Sequence, residues 1–135
     1  MDYGYLLEEA LKARKAAYAP YSGFQVGAAL LCADGSIYTG CNVENSSYGA
    51  ACCAERTAFF KAVSEGKRSF RAIAVVGGKK DEEVLEVCPP CGICRQVFSE
   101  LLDEKTPVIL SNGEQTITLT AGELLPYHFS AEDLQ

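Results

Sequence analysis

Two short stretches hold the residues best suited to chemistry: Cys52-Cys53-Ala54-Glu55-Arg56 and Cys88-Pro89-Pro90-Cys91-Gly92-Ile93-Cys94. Together they contain five of the chain's seven cysteines. Cys91-x-x-Cys94 has zinc-ligand spacing. One further thiolate, from Cys53 or Cys52, would leave the fourth tetrahedral position open to water, as a catalytic zinc requires. Cys88-Pro89-Pro90-Cys91 is also a C-x-x-C, the spacing of a redox dithiol. A redox pair has no need of a distant Cys-Ala-Glu, whereas a catalytic zinc needs a nearby base to move protons from its water. Glu55 suits that task, although an acid in a first helical turn is by itself an ordinary partner of the helix dipole. Arg56 weakens the ordinary reading. A cation near a helix N-terminus opposes the dipole, but three thiolates around a divalent zinc leave a negative centre that a cation offsets.

These residues need elements to position them. Leu6, Leu7, Ala10, Leu11, Arg14 and Ala17 share one helical face over residues 5–18, and Ala19-Pro20 ends the helix. Residues 24–32 and 37–41 read as antiparallel strands around the Asp34-Gly35 turn signal. A second helix follows Cys53 and closes at Gly66. Residues 72–76 form a short buried strand, followed by a turn at Gly77-Gly78-Lys79-Lys80 and a charged loop. A third helix starts at Pro90 or Cys91 and runs to about residue 103. Residues 108–110 and 116–120 supply two last strands, split by Asn112-Gly113. The expected fold is α/β, a three-layer αβα arrangement with a five-stranded mixed sheet, in a single domain spanning 1–135. The cysteine clusters then fall at the N-termini of the second and third helices. There, unpaired N–H groups and the dipole favour thiolates.

Composition narrows the setting. The chain has 135 residues, 48% of them hydrophobic, with no apolar run long enough to span a membrane and no basic leader. Odd, clustered cysteines fit reduced thiols in the cytoplasm better than a disulfide scaffold. A net charge of −6 argues against a nucleic-acid partner, whose affinity comes largely from Lys and Arg. A small-molecule substrate and no membrane partner are expected.

Cys53-Ala54-Glu55 with Pro90-Cys91-Gly92-Ile93-Cys94 resembles the zinc-dependent nucleobase deaminase signature in its three-cysteine form. Across nearly its full length the chain resembles the small homotetrameric class of cytidine deaminases. The matching stretches are residues 21–29, 40–45, 53–58 and 91–96, joined by Leu124-Leu125-Pro126, Phe129 and Asp133-Leu134. The resemblance implies one Zn²⁺ per chain on Cys53, Cys91 and Cys94, with Glu55 as the catalytic proton shuttle; the charge argument above makes Arg56 the group that balances charge beside the thiolates. It leaves Cys52 and Cys88 without a metal role. It further implies that Asn42 and Glu44 bind the ribose 3′-hydroxyl, that Phe24 walls the base, and that the backbone around Ala54 reads the cytosine edge. Without it, Asn42 and Glu44 read as turn residues and Phe24 as core. Ser46, Tyr48 and Phe129 correspond to positions that face an adjacent subunit's pocket, implying a homotetramer with shared active sites. Gly23, Gln25 and Ser46 depart from residues common in relatives and touch only the trim of the pocket.

The implied reaction is hydrolytic deamination of cytidine and 2′-deoxycytidine to the uridine products and ammonia, a step of pyrimidine salvage. Other readings share the zinc motif. One is a deaminase of another aminated pyrimidine nucleoside or an antibiotic analogue. Another is a polynucleotide-editing deaminase, disfavoured by the acidic balance. The last is a non-enzymatic binding module with a closed structural zinc, using Cys52 or Cys88 as fourth ligand.

Overall fold

The computed structural model describes residues 2–83 and 85–134. Met1, Val84 and Gln135, which fall within the expected single-domain span and, for Val84, the charged loop, lie outside the described residues. The chain runs α1 (Gly4–Arg14), β1 (Phe24–Cys32), β2 (Ile37–Cys41), α2 (Ala54–Ser64), β3 (Phe70–Lys79), α3 (Gly92–Leu101), β4 (Pro107–Ser111), β5 (Thr116–Thr120) and α4 (Ala121–Leu124). The strands form one mixed sheet in the order β2-β1-β3-β4-β5. Only β3 and β4 are parallel, and α3 makes the crossover that a parallel pair requires. Elsewhere the pairs are antiparallel. The β1–β2 hairpin turns at Gly35, whose φ of 92° suits glycine, with Asp34 Oδ1 accepting from the Ser36 N–H at 3.0 Å.

Alternation along the strands separates two cores. Ala29, Leu31, Ala72, Ala74, Val76 and Ile109 face α1, which buries Leu6 and Ala10 against them. Ala28, Leu30, Ile73, Val75, Val108 and Leu110 face the other way, toward α2 and α3 with Phe59, Cys94 and Phe98. The result is the expected αβα sandwich, and it puts the N-termini of α2 and α3 on the same face. Gly40 lets α2 come close: a Cβ there would meet Ala54 O, and Ala58 N at 2.6 Å. No helix among the described residues is long and apolar enough to cross a membrane.

Several boundaries differ from expectation. α1 stops at Arg14, not residue 18, because Tyr18 leaves to pair with the segment after β2: its N–H donates to Asn42 O at 3.0 Å. Buried Arg14 pins that helix end, donating from Nε to Gln25 O at 3.0 Å and from Nη2 to Lys79 O at 2.7 Å. The turn expected at Gly77–Lys80 is mostly strand, since Phe24 and Gln25 pair with Lys79 and Gly78 and extend β3. Cys91 caps α3 instead of beginning it. The short α4, closed at its start by a Thr120–Glu123 capping box, was not expected from the pattern.

Candidate metal centre and active site

Cys53 is the N-cap residue of α2 and Cys91 that of α3, both with extended backbone. Cys94 lies in the first turn of α3 and is fully buried. The three Sγ atoms all lie within 4.8 Å of one another, and those of Cys53 and Cys91 are 3.6 Å apart. Tetrahedral Zn–S bonds of about 2.3 Å place sulfurs roughly 3.8 Å apart, so the donor set fits a zinc ion. Among the described residues this is the only such group. Cys52 and Cys88 stand outside it. Cys52 accepts from Thr57 Oγ1 at 3.6 Å, and Cys88 donates to Glu86 O at 3.5 Å. Neither supplies a fourth thiolate.

The electrostatics agree with an anionic centre. The Cys53 thiol is held down to about 5, first by a hydrogen bond from Cys94, then by Arg56 and Cys91. Cys94 is pushed up by donating that bond and by burial. A cation held by all three thiols would displace the remaining protons. Arg56 Nη2 lies 3.4 Å from Cys53 Sγ, and this bond together with one to Cys94 raises the guanidinium pKa despite burial. Its Nε is buried without a partner among the described residues, so the arginine's anchors there are the thiolates. Glu55, in the same helical turn, is only 4% exposed. Burial, reinforced by the negative Cys53, pushes its carboxyl up to about 7. A carboxyl that trades protons near neutrality thus stands beside a soft-metal site.

A second constellation adjoins the first. Val43 exchanges two 2.9 Å backbone bonds with Cys52, which ties the Asn42–Glu44 segment to the residue preceding Cys53. Asn42 Oδ1 accepts from the Val26 N–H at 2.8 Å and its Nδ2 donates to Phe24 O at 2.9 Å. Those backbone partners, one only a donor and the other only an acceptor, settle the amide orientation and leave one N–H free. Glu44 Oε1 accepts from the N–H groups of Tyr21 at 3.0 Å and Ser22 at 3.1 Å. Ser22 Oγ donates to Glu44 Oε2. These bonds hold the Glu44 carboxyl below its ordinary value, the Ser22 hydroxyl foremost. A cavity of about 370 Å³ joins Asn42, Glu44 and Tyr48 to Cys53, Arg56 and Cys91.

The structure thus brings together Asn42, Glu44, Tyr48, Cys53, Arg56, Cys91 and Cys94, with Ala54 and Glu55 in the helical turn that follows Cys53. Phe24 opens β1 beside Gly77, whose missing side chain makes room for the Phe24 ring edge and Cys88 Sγ. Ser46 is exposed on the loop after Glu44. Phe129 is carried on α3's flank, where its carbonyl accepts from Gln96 Nε2 at 2.9 Å. Sequence reasoning passed over Ser22 and Arg95. Arg95 donates to Pro90 O at 2.7 Å and Leu124 O at 3.0 Å, fixing the loop that delivers Cys91. Both residues lie within the matching stretches 21–29 and 91–96, but nothing local marks their partners.

Residues 2–110 match the family model described as the cytidine and deoxycytidylate deaminase zinc-binding region. A cytidine deaminase from Halalkalibacterium halodurans is 54% identical over 135 residues, covering 99% of this chain and 98% of the relative. One from Sporosarcina psychrophila is 53% identical, with 99% and 96% covered. The crystal structure of cytidine deaminase from Burkholderia pseudomallei superposes with a TM-score of 0.86 at 48% identity, covering 96% of this chain and 100% of that one.

Proposed function

The chain belongs to the zinc-binding cytidine and deoxycytidylate deaminase family, and from that premise we infer that it hydrolyses the C4–amino bond of cytidine and 2′-deoxycytidine. Ammonia and the corresponding uridine are the products. The observation that carries this reading is the convergence of three thiols at metal-ligand spacing with the buried Glu55 carboxyl in the helical turn that follows Cys53. Cys53, Cys91 and Cys94 would hold one Zn²⁺ per chain. When bound, the ion would supply a Lewis acid that makes water acidic near neutrality.

The chain's own residues do the rest. Glu55 takes a proton from the attacking water and gives it to ring N3, so that C4 accepts the new C–O bond. It then carries the remaining hydroxyl proton to the amino group as the C4–N bond breaks, leaving N3–H and a carbonyl. Arg56 offsets the net charge of about −1 that three thiolates and a divalent cation would carry. The free Asn42 N–H and the one unused acceptor site of Glu44 suit a sugar hydroxyl, which can accept from the amide while donating to the carboxylate. Phe24 walls the base and the backbone around Ala54 meets its amide edge.

The active unit in this reading is a homotetramer with shared sites. Tyr48 is 82% exposed and Phe129 56%, and large aromatic side chains of this kind fit a neighbouring subunit's pocket, with Ser46 beside Tyr48. A site that depends on three reduced thiols fits the cytoplasm. The test is an absorbance assay of purified protein against cytosine, cytidine, 2′-deoxycytidine and cytidine monophosphate. Turnover of the two nucleosides with ammonia release is expected. Zinc-loaded protein that releases no ammonia from either refutes it.

A further inference from the structure

We propose that Ser22 is a positioning residue for sugar recognition, its hydroxyl donating to Glu44 Oε2 while accepting from the Phe24 N–H at 3.0 Å. The proposal rests on the reading of Glu44 as a sugar-binding group. The two Ser22 contacts fix the hydroxyl's direction: an ionised carboxylate can only accept and a backbone amide can only donate.

The acceptor count shows what Ser22 adds. A carboxylate offers about four acceptor sites. Glu44 Oε1 uses two of them on the Tyr21 and Ser22 amides, and Oε2 uses one on the Ser22 hydroxyl. A single site remains, on Oε2. The amides grip only one oxygen and leave the other free to swing about it, so the Ser22 hydroxyl alone decides where the remaining acceptor points. Through its second bond the same hydroxyl sets the backbone of Phe24, the proposed wall of the base. The turn itself does not depend on it. Gly23, at φ 69°, donates to Ala19 O at 3.0 Å and accepts from the Lys80 N–H at 2.7 Å, so the loop keeps its backbone bonds without the serine hydroxyl. Glu44 lines two cavities, one of about 340 Å³ that it shares with Tyr21, Ser22 and Tyr48, and the one of about 370 Å³ that it shares with Asn42, Tyr48, Cys53 and Cys91, so the carboxylate that Ser22 holds borders the space proposed for the nucleoside.

The experiment compares kcat/KM for 2′-deoxycytidine and 2′,3′-dideoxycytidine in wild type, Ser22→Ala, Glu44→Gln and the double variant. Wild type is expected to favour the substrate with the 3′-hydroxyl. Ser22→Ala should lower that preference about tenfold, mainly through KM, because a misaimed carboxylate no longer rewards the hydroxyl. The double variant should discriminate no less than Glu44→Gln alone, since the serine acts through the glutamate. Equal losses on both substrates in Ser22→Ala would mark a merely structural role and overturn the proposal, as would a preference within twofold of wild type. Ser22→Gly, which removes the same hydroxyl, decides the matter if the alanine variant does not fold. A wild type that deaminates both nucleosides alike overturns the sugar reading of Glu44 and Ser22's role with it. Deamination itself would still stand.

Discussion

Replacing Gly40 with alanine should damage the metal centre without touching any proposed ligand. Gly40 lies on β2 opposite Ala28, directly beneath the first turn of α2. A Cβ there would stand 2.6 Å from Ala58 N and 3.0 Å from Thr57 Cβ, and would also strike Ala54 O. Ordinary contact begins near 3.4 Å, so the helix start must retreat by at least about 0.8 Å, at a cost of roughly 1–3 kcal/mol for overpacking. The obstacle is backbone, which cannot rotate away. Cys53 immediately precedes the displaced turn and Glu55 lies within it, while metal–ligand distances tolerate only about 0.2 Å. Gly40→Ala should therefore lower the melting temperature by several degrees and lose zinc to a mild chelator that leaves wild type loaded. In protein reloaded with zinc, kcat/KM should still fall by about tenfold or more, since misplacement on this scale costs that much at a reacting centre. Gly49→Ala is the control, because nothing lies within 4 Å of a Cβ at that position. A Gly40→Ala protein with wild-type melting and zinc retention would refute the claim that this glycine sets the seat of Cys53.

Further outcomes are expected. Glu55→Gln should keep fold and zinc while losing at least about 10²-fold in kcat, because an amide hydrogen-bonds but shuttles no proton; more than a tenth of wild-type turnover would leave Glu55 a dipole partner. Alanine at Cys53, Cys91 or Cys94 should remove the metal and alanine at Cys52 or Cys88 should not, as elemental analysis of each purified variant would show. Arg56→Gln should cut kcat with little loss of zinc, and adding Cys53→His, which exchanges an anionic for a neutral ligand, should recover activity; two losses that simply add in a zinc-loaded double variant would reject the charge-balance account. Mixing inactive Glu55→Gln chains with inactive Phe129→Ala chains under subunit exchange should regenerate activity if sites are shared, and a fully active monomer would exclude that arrangement.

The amino-acid sequence alone determined what depends on neighbours a few residues away. Asp34-Gly35 turns the β1–β2 hairpin because its conformational preferences are local. The order of helices and strands is legible from hydrophobic period, and Pro90 marks the entry to the helix beside the second cysteine cluster because proline is favoured at a helix start. The thiol spacing and the Cys-Ala-Glu run were enough to name a metal, a base and a counter-charge. Tertiary structure decided whatever depends on partners distant in sequence. Gly77-Gly78 reads locally as a turn, yet it lies in β3, because strand pairing with Val26 and Gln25 outweighs glycine's intrinsic dislike of a strand. α1 ends at Arg14 because Tyr18 has backbone bonds waiting at Asn42 and Glu44, which no helical period can encode. Local spacing left Cys52 and Cys53 equal as third ligand and only the family resemblance favoured Cys53; the fold brings Cys53 to Cys91 and Cys94 and leaves Cys88 against Gly77. Adjacent thiols are alike in sequence, and their directions are set by which side chain the N-cap geometry turns toward α3. The Glu44 carboxylate is likewise held across some twenty residues, by hydrogen bonds from Tyr21 and Ser22. Such bonds require atoms to meet in space, and sequence pattern carries periodicity and propensity but not position.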